Sequence, residues 1–304
     1  MTSDTAGSLT VGRKGGMYCY ILTPFNTRGD ADHAVLEKYV DAVINEGADG
    51  VTCVASTTEG VYLTEPERFA VVETVCNTVA KRVPVNVGVG AYSTRQVLHF
   101  SEHAQKSGAD SLMLEMQIYI KRVSRAAVHQ HYADVTTTVD IPIKLYNIPT
   151  ATGYDCTPDE IADMADIDGI DSVKDASGIA TRVRDIKSLC GDRFPLYCGL
   201  HFVALDSYRY GALGWEGAFH PLIACPIIEL HRTLMTGDFV KGAAQFSRLE
   251  PLFQFFNYHG VPQSIKAMSE WTDIKLGTTR RPLNELNPLQ ITRLKNIVEE
   301  LGCI

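Results

Sequence analysis

The feature that most constrains this chain is an alternation. Short apolar runs rich in Val, Ile and Leu recur about every 25 residues, and each is followed by a stretch with helical periodicity. The runs place strands at residues 18–25, 49–55, 83–89, 110–116, 141–146, 170–174, 194–198 and 215–219. Between and after them, helices are expected at 32–46, 65–80, 94–107, 124–137, 157–165, 181–189, 202–210 and 225–234. Some helix starts carry their own signal: Thr157-Pro158-Asp159-Glu160 supplies a hydroxyl cap, a proline in the first turn and acids at the positive end of the helix dipole. Strands alternating with amphipathic helices imply a parallel sheet. Eight such units within about 250 residues fit an α/β fold of the (β/α)8 TIM barrel type better than an open doubly wound sheet. No Gly-x-Gly-x-x-Gly follows the first strand, which weakens a dinucleotide-binding alternative. Beyond residue 236 the strand signal stops, and 242–256, 261–271 and 287–301 have helical patterns. The expected organisation is a flexible N-terminal segment at 1–16, a barrel at 17–236 and a C-terminal helical extension at 237–304.

Bulk properties then remove whole classes of function. A net charge of −8 argues against nucleic acid or an anionic membrane surface as the main partner. No apolar run reaches the length of a transmembrane helix, and residues 1–16 lack the apolar core of a signal peptide. The eight cysteines include no Cys-x-x-Cys pair, and several sit within apolar runs such as Val51-Thr52-Cys53-Val54. A reducing cytoplasm without a disulfide framework is the expectation.

In a barrel of this type the active site lies at the carboxyl ends of the strands. Two strands there end on reactive side chains. Residues 141–146 close on Tyr146 just before Asn147-Ile148-Pro149, and residues 170–174 close on Lys174. A lysine ending a buried strand is costly unless it is paired, neutral or covalently used. Imine chemistry needs such an amine, because only the neutral form attacks a ketone and desolvation favours that form. A neighbouring phenol can carry protons to and from the carbinolamine. The turn Ser56-Thr57-Thr58-Glu59 offers hydroxyl and backbone donors to a carboxylate. Tyr119 after the fourth strand, His201 after the seventh and Glu216 in the eighth complete the mouth. One pattern points elsewhere: His99-Phe100-Ser101-Glu102-His103 fits the inverted zinc-protease motif. Val97, Phe100, Ser101 and Ala104 form that helix's inward stripe, so its histidines fall on the solvated flank of a barrel helix, and no metal site is expected.

These residues also carry a family likeness. Ala55-Ser56-Thr57-Thr58-Glu59, Tyr146-Asn147-Ile148-Pro149 and Val173-Lys174-Asp175-Ala176-Ser177, with the late Arg280-Arg281-Pro282-Leu283, resemble the dihydrodipicolinate synthase/N-acetylneuraminate lyase superfamily over residues 18–301. The resemblance implies a Schiff base between pyruvate, or another 2-keto acid, and Lys174. It implies Tyr146 as general acid/base, with Thr57 and Tyr119 in a hydroxyl relay that Tyr119 completes across a subunit contact. Ser56 and Thr57 would hold the keto-acid carboxylate; Thr58, His201 and Glu216 are further candidate substrate contacts by their place at the mouth and not by the resemblance. It implies no cofactor or metal, and a homo-oligomer, tetramer or dimer.

Three departures bear on the substrate. Thr58 stands where the family usually has glycine. Gly199-Leu200-His201 replaces an acidic pair. Ala151 stands where synthases have an arginine that grips the second substrate's carboxylate. Gly214-Trp215-Glu216-Gly217-Ala218 resembles the segment of members acting on keto-deoxy sugar acids or hydroxyproline-derived imines, so the expectation is a class I lyase, aldolase or dehydratase acting on pyruvate or a 2-keto acid such as a keto-deoxy sugar acid, the aldehyde partner being undetermined. A dihydrodipicolinate synthase, joining pyruvate to aspartate semialdehyde, is the alternative that Ala151 disfavours. A non-catalytic keto-acid-binding relative is the other.

Overall fold

The computed structural model describes residues 15–120 and 122–304, so the expected flexible segment at 1–16 lies outside the described residues except for its last two. Eight parallel strands close into a barrel in sequence order: β1 Met17–Tyr20, β2 Gly50–Cys53, β3 Val85–Gly88, β4 Ser111–Glu115, β5 Ile143–Asn147, β6 Ile170–Asp175, β7 Leu196–Cys198 and β8 Gly214–Gly217. Closure is made by β1 against β8, with Met17 opposite Trp215. The strands are shorter than the apolar runs that announced them. Residues 22–24, for example, lie past the end of β1 as loop backbone although Leu22 is fully buried, because apolar character reports burial and not strand pairing.

The helices between strands form as their periodicity dictates. His33–Asn45 buries Leu36, Tyr39, Val40 and Val43, one stripe at helical spacing, and Asp32 caps it by accepting from the Val35 amide at 3.1 Å. Reciprocal capping boxes start the helices at Glu65 and Pro158, with Thr64 paired to Glu67 and Thr157 to Glu160. The eighth barrel helix, Pro221–Met235, starts a turn earlier than its apolar pattern suggests, with Pro221 in its first turn and Pro226 inside it.

Three further helices, Phe239–His259, Val261–Ser269 and Pro288–Glu300, follow the barrel. They reach its mouth. Phe253 of the first stacks on His201 just after β7, and Lys266 of the second pairs with Glu59 in the turn after β2.

Candidate active site

The turn after β2 is held in a shape that its sequence would not adopt alone. Val54 and Glu59 both have positive φ, 47° and 65°, an unfavourable region for side chains of these types. Several contacts impose it. The Thr58 hydroxyl donates to the Ala55 carbonyl at 2.8 Å, the Thr23 hydroxyl donates to the Thr58 carbonyl at 3.1 Å, and the Gly60 amide donates to Ala55 at 3.2 Å. Glu59 lies 2.5 Å from the Lys266 ammonium, both deep in the protein, and accepts the Arg280 amide at 2.8 Å. Gly60 is required by close approach, since a Cβ there would run into the Val54 backbone. What the turn presents is Ser56, whose Oγ is 3.1 Å from the Tyr146 hydroxyl.

Tyr146 and Lys174 are register partners on adjacent strands, so their side chains leave the sheet on the same side at the same level. Both are buried. The Lys174 ammonium position is 3.8 Å from the Tyr20 ring centroid and 4.2 Å from that of Tyr146. Burial pushes the Lys174 amine down to about 7; Glu216 pulls it back up and Lys144 pushes it further down. Burial likewise holds the Tyr146 phenol well above its ordinary range, with the Ser56 hydrogen bond opposing. The two carboxylates that a structural lysine would use are committed elsewhere. Asp175 accepts from Asn147 at 2.9 Å and from Ser177 at 2.6 Å, while Glu59 takes Lys266. Gly199 gives the lysine its room, since a Cβ there would come within 2.9 Å of Lys174 Cε.

The remaining expected residues are placed differently. Thr57 is half-buried in the Ser56 turn. Thr58 is fully buried, and its hydroxyl is spent on the turn's own backbone rather than offered to the mouth. Glu216 pairs with Lys144, and both side chains are completely buried inside the barrel. His201 is stacked on Phe253, centroids 5.1 Å apart, and lies edge-on to Trp215; burial and the nearby Lys174 push its imidazole down to about 3. Tyr119 is 85% exposed and meets only the edge of Tyr92 among ring contacts of the described residues. It is not brought to Tyr146 within one chain. His99 and His103 pair with Glu65 and Glu73 of the preceding helix, and among the described residues no three potential ligands gather as a metal site.

Two side chains enter the mouth that belong to none of the sequence motifs. Tyr20 ends β1 beneath Lys174, and its hydroxyl donates to Met113 Sδ at 2.7 Å. Glu115 ends β4 as the register partner of Tyr146. An acid closing an apolar strand is the same signal that marked Lys174.

A buried amine of depressed basicity, flanked by phenols at the mouth of a closed barrel, is the layout that Schiff-base aldolases require. The model of the dihydrodipicolinate synthetase family matches residues 13–301, and the chain belongs to that family. It is thereby an enzyme of the lyase class, aldolase in type, of a family whose chemistry runs through a Schiff base with pyruvate. The chain is similar to the 4-hydroxy-tetrahydrodipicolinate synthase of Microcystis aeruginosa, 30% identical over 285 residues, covering 93% of this chain and 96% of the relative. It is similar to that of a Synechococcus strain at 28% over 284 residues, covering 93% and 92%. Among solved structures, the 4-hydroxy-tetrahydrodipicolinate synthase of Methylacidiphilum fumariolicum superposes with a TM-score of 0.90 at 26% identity, covering 95% of this chain and 96% of the other.

Proposed function

We propose that the protein condenses pyruvate, held as an imine on Lys174, with an aldehyde, and that Tyr146 moves the protons. The neutral Lys174 amine attacks the keto carbon and water leaves, forming the imine. Loss of a methyl proton gives an enamine, whose carbon attacks the aldehyde. The phenol then protonates the new alkoxide, and hydrolysis frees the amine. The observation that carries this reading is the shared rung: Tyr146 stands beside Lys174, and its hydroxyl is tied to Ser56 at 3.1 Å. Ser56 and Thr57 hold the pyruvate carboxylate in this scheme. Thr58 is given a supporting part in their turn, Glu216 an electrostatic part beneath the lysine, and His201 a place on the wall.

For the acceptor, the names of the relatives favour the synthase reading, pyruvate plus aspartate semialdehyde, over the keto-deoxy sugar acid that the sequence reading put first. The second reading keeps one specific support. Ala151 puts no cation on the cleft wall where an aldehyde's carboxylate is to be gripped. An oligomer in which Tyr119 enters a neighbour's site fits its exposure, and a cytoplasmic setting fits the free cysteines.

Borohydride reduction in the presence of pyruvate is expected to leave a stable adduct mapping to Lys174 by mass spectrometry. An unmodified lysine overturns the imine. Pyruvate binding without an adduct would point to a non-catalytic relative. Consumption of aspartate semialdehyde in a coupled assay then supports the synthase reading, and turnover restricted to keto-deoxy sugar acids overturns it.

A further inference from the structure

The rung that carries Tyr146 and Lys174 begins one strand earlier. Glu115 is the register partner of Tyr146, as Tyr146 is of Lys174, so three consecutive strands present an acid, a phenol and an amine on one side of the sheet at one level. At roughly 4.8 Å per strand, the backbone carrying the acid stands about 10 Å along the wall from the backbone carrying the amine.

Glu115 is 4% exposed. One carboxyl oxygen accepts from Gln117 Nε2 at 3.0 Å, while Oε2 is buried with no hydrogen-bond partner among the described residues. The space it fills is reserved: a Cβ on Gly90 would collide with this carboxyl. The group lines a cleft of 610 Å³ together with Ser56, Arg68, Ala151 and Thr152, and Ser56 joins that cleft to the Tyr146 hydroxyl. The cation within reach, Arg68, is itself buried, with its guanidinium 4.4 Å over the Phe100 ring and donating to the Gly88 carbonyl. Burial holds the carboxyl above its usual range; Gln117, Arg68 and Lys174 pull the other way. A buried acceptor left open costs stability unless something fills it, and such groups persist where a ligand supplies the partner.

We infer that Glu115 is a specificity-determining residue, its open carboxyl oxygen receiving a hydrogen-bond donor, hydroxyl or ammonium, on the aldehyde that reacts with the Lys174 adduct. The inference rests on the imine reading and deepens it. It also assigns a polarity to the cleft: Glu115 repels an acceptor carboxylate, Ala151 does nothing to attract one, and the cation on this wall, Arg68, is engaged with Phe100 and the Gly88 carbonyl, so recognition at Glu115 runs through donors on the aldehyde.

The test uses the full chain, as wild type, Glu115→Gln and Glu115→Ala. Each is assayed for pyruvate trapping on Lys174 and for kcat/KM with glyceraldehyde, aspartate semialdehyde and unsubstituted butanal. The wild type is expected to prefer one donor-bearing aldehyde over butanal. Glu115→Ala should lose at least about tenfold of that preference while the pyruvate adduct still forms. Glu115→Gln keeps a neutral acceptor. A preference for the ammonium-bearing aldehyde should then fall about tenfold, whereas one for the hydroxyaldehyde should fall by only about threefold. Should the alanine variant fail to fold, the near-isosteric glutamine variant decides alone. Normal trapping with an unchanged aldehyde ranking overturns the inference and leaves the imine intact. Trapping lost only in the variants overturns it in favour of a structural role. No trapping in the wild type overturns both.

Discussion

Lys144 and Glu216 form an ion pair with both side chains completely buried, one layer beneath Lys174 in the barrel. Lys144 lies two residues before Tyr146 on β5, on the same face, and its ammonium is 3.4 Å from the Tyr197 ring centroid and 4.6 Å from that of Tyr18. Removing two charges from water is expensive, and their mutual attraction repays it only when both are present. The pair also sets the field at the reactive amine. Glu216 is the largest influence holding Lys174 protonated, and Lys144 opposes it.

Breaking this pair from one side is therefore expected to cost far more than removing it whole. Lys144→Met strands a buried carboxylate and should destabilise the protein by about 3–5 kcal/mol in urea unfolding. Combining it with Glu216→Met should recover most of that loss. Additive losses in the double variant would mean that the two groups do not stabilise each other.

The pH dependence of imine formation follows from the same field. Only the neutral amine attacks pyruvate, so the trapping rate should rise about tenfold per pH unit below 7 and level off above the Lys174 midpoint near 7. Glu216→Gln removes the dominant upward pull and should move that midpoint down, and Lys144→Met should move it up. Rates of borohydride trapping against pH report the midpoint directly. A midpoint near 10, the value of an exposed lysine, would contradict the buried amine.

Tyr146→Phe should separate binding from proton transfer. The ring still flanks Lys174 at 4.2 Å, but the hydroxyl bonded to Ser56 is gone. Turnover is expected to fall by about 10²–10³ while pyruvate still forms a trappable adduct. Ser56→Ala, which frees the phenol and removes one donor to the pyruvate carboxylate, should cost about tenfold in turnover. Equal losses in trapping and turnover would place the role of Tyr146 at or before imine formation and overturn the separation.

The barrel was legible in the sequence because its signal is local: each strand and each helix carries its own period, and the repeat recurs eight times. Lys174 and Tyr146 were legible because a polar group ending an apolar run is improbable by itself. What was not legible depends on register and turn geometry. Glu115 carries the same end-of-strand signal, but its meeting with Tyr146 is set by how β4 pairs with β5. Glu216 reads as a mouth residue until Lys144, 72 positions earlier, turns out to face it. The Thr58 hydroxyl could be followed only once Val54 and Glu59 were seen to bend the turn into positive φ. Lys266, in the helical pattern at 261–271, closes on Glu59 in a way that only the packing of that helix against the turn reveals.

The Arg280–Glu67 contact makes the last prediction, one of acid stability. Arg280 donates to both Glu67 oxygens at 2.7 Å and to the Tyr62 carbonyl at 3.1 Å, tying the C-terminal segment to the helix after the Ser56 turn. The guanidinium holds the Glu67 carboxyl down to about 2. A carboxylate whose basicity is lowered by folding contributes stability that is fully present above its unfolded value, near 4.5, and is lost as pH falls through about 2. Glu67→Gln is therefore expected to cost about 1–3 kcal/mol at pH 7. The cost should shrink as the pH is lowered from 4.5 towards 2, because the wild type then loses what the variant already lacks. Urea midpoints of the two proteins should converge over that interval. A gap that stays constant down to pH 2 would mean that the ion pair contributes nothing and that the loss lies in packing alone.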